Sequence, residues 1–335
     1  MSLQLTGANL LQQLYGYEED LSAFLAPFGV ALSPVTIFGD VLDPGIYNLP
    51  ALQPVTTEAV TYAAGGTPVS DSYTGVTLRN LLDRAGGVDI TAAKNDILSK
   101  YVIAIGADGY KAAFSLGEID PKFGNQSVLV AYADAAGQLG PRGSEGLARI
   151  VVPGDHAGGR YVSDLVDLQV GSLPEPSSPG PGGTSDQVTL SGQVADPSTF
   201  TPITLAALNQ AATETATFLS GAGQVTDTYT GVSLWTLLQD KGLLTDPSIK
   251  NDLLRLGVVA TGSDGYRALI SLGEIDPAFG NQPDLVAYAD SNGQLDPNGS
   301  DGAMRLVVPG DHAGGRYVSN LVSLQVVDLT APIHS

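Results

Sequence analysis

VVPGDHAGGRYVSDLVDLQV, running from Val151 to Val170, returns as VVPGDHAGGRYVSNLVSLQV from Val307 to Val326. Working outward, YTGVTLRNLL (Tyr73 to Leu82) matches YTGVSLWTLL (Tyr229 to Leu238). GADGYKAAFSLGEIDPKFGNQ, from Gly106, matches GSDGYRALISLGEIDPAFGNQ, from Gly262. The offsets 231−75, 265−109 and 311−155 all equal 156, so one unit occurs twice. A unit of that length is a duplicated domain and not a solenoid repeat. Leu173 to Asp186, rich in Pro, Gly and Ser, reads as a solvated linker between the copies. The expected organisation is an N-terminal helical segment over 1–33, a first copy over 34–172, the linker over 173–186 and a second copy over 187–330. Such a linker enforces no geometry, so two independent beads are expected. The alternative is a pseudo-two-fold pairing that joins the two closing loops into one site.

Within each copy the pattern is α+β and mostly β. Val35 to Val41 alternates before the turn Asp43-Pro44-Gly45, and Tyr101 to Ile105 and Tyr110 to Leu116 flank a Gly-rich hairpin turn. Ser127 to Ala133, Ala148 to Val152 and Val162 to Val170 are further β-branched runs. One helix is expected, capped by Thr77, striped by Leu78, Leu81, Leu82 and Ala85, and stopped at Gly86-Gly87. Its twin begins at Ser233 and ends at Gly242. Ahead of both copies, Leu10, Leu14, Tyr17, Leu21, Phe24 and Leu25 recur at helical spacing. That stripe is expected to pack on the first copy, with a homo-oligomer contact as the alternative.

Charge narrows the classes of partner. Asp and Glu total 35 against 15 Lys and Arg, a formal charge of −20. That field repels nucleic acid and anionic lipid, so neither is an expected partner, and no apolar run reaches membrane-spanning length. The absence of cysteine removes disulfides, thiolate nucleophiles and iron–sulfur ligands. Low lysine with abundant Gly, Thr, Asp and Asn points to an exported, periplasmic or extracellular protein. Met1-Ser2-Leu3 is read as a leader in place of a removed signal.

Four features in one order carry a resemblance. They are FGDVLDPGIY (from Phe38) or SGQVADPSTF (from Ser191), the YTGV segment, the GxDGYxxxxSLxE hairpin and the closing run through VVPGDHAGGRYVS. Together they resemble the oxidoreductase molybdopterin-binding domain family, of sulfite-oxidase type, over nearly all of both copies. The resemblance implies a cysteine ligating molybdenum near Ala63-Ala64-Gly65 and near Leu219-Ser220-Gly221, where none stands. It also implies a histidine within 138–149 and 294–305, stretches that carry Glu145 and Asp301 instead. The family's closing Arg is matched by Arg160 and Arg316, but its following Lys is replaced by Ser163 and Ser319. The resemblance therefore implies the fold without the molybdenum chemistry.

The candidate ligand-binding residues are Asp155, His156 and Arg160 with Asp311, His312 and Arg316, the charged cluster kept whole in both copies. A Gly-rich backbone beside an arginine suits an anion, and Asp with His could ligate a metal, although two groups per copy fall short of a metal site. The competing reading is a structural turn, with Arg160 bound to Asp155 or to carbonyls and His156 packed on Tyr161. The repeated Gly117-Glu118-Ile119-Asp120-Pro121 loop reads as a solvated turn. No catalytic residue and no metal ligand set is expected. The cofactor is open, molybdopterin without a cysteine bond or another small anion. The expected function is a tandem binding or structural module. The alternatives are an oxidoreductase holding an anionic cofactor without a cysteine–metal bond, and a self-associating extracellular assembly subunit.

Overall fold

The structure, a computed structural model, describes residues 31–140, 145–174 and 180–331. The helical stripe expected before residue 31, and the oligomer contact assigned to it, lie outside the described residues. The fold is mostly β, with short helices, as the sequence pattern predicts.

Each half builds two five-stranded sheets in the same order. In the first half, β1 (Pro34–Gly39), β2 (Gly45–Asn48), β5 (Lys100–Gly106), β6 (Lys111–Ser115) and β10 (Leu165–Ser172) form a sheet ordered β2-β1-β10-β5-β6. Only β1 and β10 run parallel in it. The second sheet is the hairpin β3 (Thr56–Ala64) and β4 (Thr67–Thr77), then β7 (Leu129–Asp134) and β8 (Gly137–Gln138), with β9 (Arg149–Val151) also paired to β7. The second half repeats this with β11 (Val188–Gly192), β12 (Ser198–Phe200), β15 (Leu256–Gly262), β16 (Arg267–Ser271) and β20 (Leu321–Asp328). Its other sheet holds β13 (Ala211–Ser220), β14 (Gly223–Ser233), β17 (Leu285–Asp290), β18 (Gly293–Gln294) and β19 (Arg305–Val307).

The long β3–β4 hairpin is absent from the sequence reading, which placed YTGV at a helix opening. Tyr73 to Thr77 is instead the end of β4, and the helix α1 (Leu78–Arg84) starts only after it. The expected cap is present: the Thr77 hydroxyl accepts from the Asn80 amide, and Leu78, Leu81 and Leu82 are buried. Thr77→Ala removes that acceptor and should cost about 1 kcal/mol, read as a lower denaturant midpoint with unchanged slope.

The two halves are not beads, which corrects the expectation drawn from the linker. β5 and β15 read as unbroken apolar runs because both of their faces are buried. Val102 and Ala104 face the core of the first half, whereas Tyr101 and Ile103 pack with Val259, Leu269 and Leu329 of the second. The linker's described ends are pinned as well. Leu173 joins this apolar seam, its amide bonds to the Ser99 carbonyl, and the Ser185 hydroxyl donates to the Leu321 carbonyl. Proline and glycine composition marked the chain reversal, but the apolar surface behind it decided the packing.

Between Leu116 and Ile119 lies α2, and its twin α5 spans Leu272–Ile275. These single turns carry the Glu118 and Glu274 loops into the seam. Both glutamates are 2% exposed, so the solvated-turn reading of those loops is wrong. Pro121 and Pro277 remain exposed, whereas Gly117 and Gly273 are buried under Arg316 and Arg160 of the opposite half.

Candidate functional site

The PGDHAGGR loops end in short 3-10 turns at Gly158–Arg160 and Gly314–Arg316, each tucked against the opposite half. The His156 amide donates to the Phe279 carbonyl, and the His312 amide to the Phe123 carbonyl, at 3.2 and 3.1 Å. A carbonyl can only accept, so His156 Nδ1 donates to Pro277 O at 2.9 Å and His312 Nδ1 to Pro121 O at 3.1 Å. His156 does not pack on Tyr161 as expected; that ring stacks on Tyr62, centroids 4.1 Å apart. Further along the seam Asn95 Nδ2 donates to Tyr266 Oη at 2.9 Å, and Asn251 Nδ2 donates to Tyr110 Oη at 2.8 Å. Each tyrosine then donates to a loop carbonyl of its own half, Gly315 O or Gly159 O. The contacts obey a pseudo-two-fold relation.

Behind the loops lies a buried ionic cluster. Arg160 is 1% exposed and gives Nε and Nη2 to both oxygens of Asp155, at 2.8 and 2.5 Å, while Nη1 binds Glu118. Arg316 repeats this with Asp311 and Glu274. Glu118 also accepts from Ser271 of the other half at 3.0 Å, and Ser115 reaches Glu274 at 3.5 Å. Burial opposes charge on both arginines, yet their carboxylate neighbours hold them protonated beyond the usual guanidinium range. Burial likewise raises Asp155 and Asp311 above the ordinary carboxylate range. The structure therefore brings each predicted Asp and Arg together as an ion pair. With both carboxylate oxygens of Asp155 and Asp311 taken by arginine, neither loop has a ligand set for a metal, and the described residues contain no cluster suited to one.

The large cavity lies beside this cluster, in the second half. Its volume is about 920 Å³, and its walls include Phe218 to Gly221 on the β13–β14 hairpin, Arg305, and Ala313 to Gly315 of the closing loop. Lys94, Asn95, Lys122 and Phe123 complete it from the first half. Arg316 is not among its walls. Arg305, overlooked in the sequence reading, pairs with Asp301 at 2.7 Å and lies over the Tyr229 ring at 5.3 Å. Its Nε has no partner among the described residues. Lys94 and Lys122 make no carboxylate pair among the described residues, and sit over the rings of Tyr266 and Phe123. Lys122 is peculiar to this cavity, since its counterpart in the other copy is Ala278.

A thiolate-ligated molybdenum cofactor does not fit these residues. The hairpin position implied for its cysteine is Ala63 to Gly65 in one half, where Ala63 N is bonded to His156 O. In the other half Ser220 gives its hydroxyl to the Gly223 carbonyl at 2.8 Å and so closes its own turn. Ser319, in place of the lysine, donates to Asp301 at 3.1 Å. The two matching arginines are consumed in ion pairs.

No family model matches the chain, and no curated protein does. Among solved structures it aligns with the sulfane dehydrogenase SoxCD from Paracoccus pantotrophus. The identity is 14%, the TM-score is 0.34, and the alignment covers 86% of this chain and 77% of that one. What fold and site define together is a duplicated, mostly β, α+β protein whose halves share a buried ionic seam and border one large polar cavity.

Proposed function

We propose that the chain is an exported, non-catalytic tandem binding module on a molybdopterin-domain-like fold, and that its ligand is a small anion held in the second half's cavity. The observation that carries this reading is the composite wall: the first half lends Lys94 and Lys122, and the second lends Arg305, which pairs with Asp301, together with Asp227 and Asp264, so the two lysines are the cations left for a ligand. Two ammonium groups that make no carboxylate pair among the described residues attract an anion, and Arg305 adds the Nε that Asp301 leaves unpartnered. The same arginine pairing that fixes Arg160 and Arg316 weighs against the oxidoreductase alternative, which needs those side chains in a pocket. Export rests on composition alone.

Recombinant full-length protein should contain neither stoichiometric molybdenum by elemental analysis nor pterin by fluorescence after oxidation. Finding both would overturn the reading. With inorganic sulfate as the probe, the melting midpoint should rise with concentration in the native chain. The rise should be lost in a K94A/K122A double variant. An equal rise in both proteins would remove the lysines from the site.

A further inference from the structure

Among the buried positions at which the two copies differ, one sets an acid in the second half against an apolar residue in the first. Val128, 1% exposed in the first half, is matched by Asp284 in the second, also 1% exposed. Neither carboxylate oxygen of Asp284 has a hydrogen-bond partner among the described residues. The seam therefore holds five buried carboxyl groups, Glu118, Glu274, Asp155, Asp311 and Asp284, against two guanidiniums, Arg160 and Arg316. The other titratable groups facing the cluster are Asp276, which feels Arg160, His156 and His312 beside Asp155 and Asp311, Tyr161, which feels Asp155, and Tyr317, which feels Asp311 and Asp284. Three uncompensated negative charges are costly in so buried an interface, and protons that neutralise part of the cluster relieve that cost.

We propose that this cluster is a proton-holding clasp, which fastens the two halves most tightly in acid and loosens them as the pH rises towards neutrality. The arrangement supports it directly. The cluster sits where α2 and its twin at Leu272–Ile275 pack against β16 and β6 of the opposite half, and Ser271 and Ser115 tie each glutamate across the seam. Burial, with Glu118 and Asp311 nearby, pushes Glu274 from 4.5 up to about 7 against the pull of Arg316. Burial raises Asp284 well above its ordinary range, with Glu274 adding to the effect. Raised acids bind more protons in the folded chain than in the unfolded one. Their stabilisation is thus complete below the unfolded values and is lost as pH climbs to the folded ones, for Glu274 between 4.5 and about 7.

The test compares the full chain with Asp284→Val, which restores the residue of the first copy, and with Asp284→Asn, which keeps the shape. Melting midpoints from pH 4.5 to 8.5 are read beside hydrogen exchange of the His156 and His312 amides, which cross the seam. The native midpoint should fall over the lower part of that range. The valine variant should melt higher than native above pH 7, with a gain that shrinks towards pH 4.5. Its seam amides should lose the extra exchange that native protein gains on alkalinisation, after correction for intrinsic rates. The formal charge is −20 in the native chain and, with one aspartate fewer, −20 + 1 = −19 in both variants, so its general repulsion nearly cancels in the comparison. Identical pH profiles for native and both variants would overturn the clasp, as would seam amides that track those of the β7 core at every pH.

Discussion

Arg316→Ala is expected to cost about 3–5 kcal/mol, because it leaves Asp311 and Glu274 buried without the partner that takes their charge and hydrogen bonds, so that each must stay unpaired or take up a proton. Both carboxylates are at most 2% exposed, so solvent cannot take over the lost hydrogen bonds. Such a loss lowers the melting midpoint by on the order of 10 °C for a unit of this size. Arg160→Ala should behave alike, through Asp155 and Glu118. A lysine at either position keeps one charge but not the fork that reaches two acids, so it should rescue only part of the loss. Calorimetry of the single variants checks this. An alanine variant that melts within about 1 kcal/mol of native, the range of an exposed pair, would mean the arginine is solvated and free to meet a ligand.

Gly315→Val should force the halves apart. The Cβ it adds would lie 2.4 Å from Phe123 Cε1 and 2.9 Å from Leu98 Cδ1, atoms of the opposite half. Phe123 is 1% exposed and Leu98 fully buried, so neither ring nor methyl has room to retreat. Overpacking of this kind costs about 1–3 kcal/mol, and here the strain falls wholly on the seam. The expected signature is faster proteolysis near the linker and faster exchange of the His312 amide, with the β7 and β17 amides still protected. Gly159→Val should repeat the effect through Phe279, which a Cβ there would meet at 2.4 Å. Uniform loss of protection across both halves would instead place the damage inside one core.

The seam also explains which residues escaped a one-dimensional reading. Glu118 in Gly-Glu-Ile-Asp-Pro has the look of a surface turn, and only the partner copy turns it into a buried group. Arg149 and Arg305 stood in view beside Val151 and Val307, yet nothing in their neighbours told that they back onto Tyr73 and Tyr229. Asp284 was legible, since aligning the copies sets it against Val128, a core position by its run of apolar neighbours. Lys94 and Lys122 could not be read as cavity residues, because the cavity belongs to the other half.

The sequence alone determined the duplication, the mostly β composition of each half and the capped helix after Thr77, and it set Arg160 five residues from Asp155 without deciding whether the two pair. These follow from local chemistry: periodicity, caps, turns and charges five residues apart. The β5 and β15 runs even carried a mark of the seam, since apolar residues on both faces need two covered sides. What only the tertiary structure decided is which surface covers the second face, and hence the burial of the glutamates, the composite cavity and the proton demand of the clasp. Those depend on contacts about 150 residues apart in the chain, where neither propensity nor spacing constrains the partner and burial is a property of both halves together.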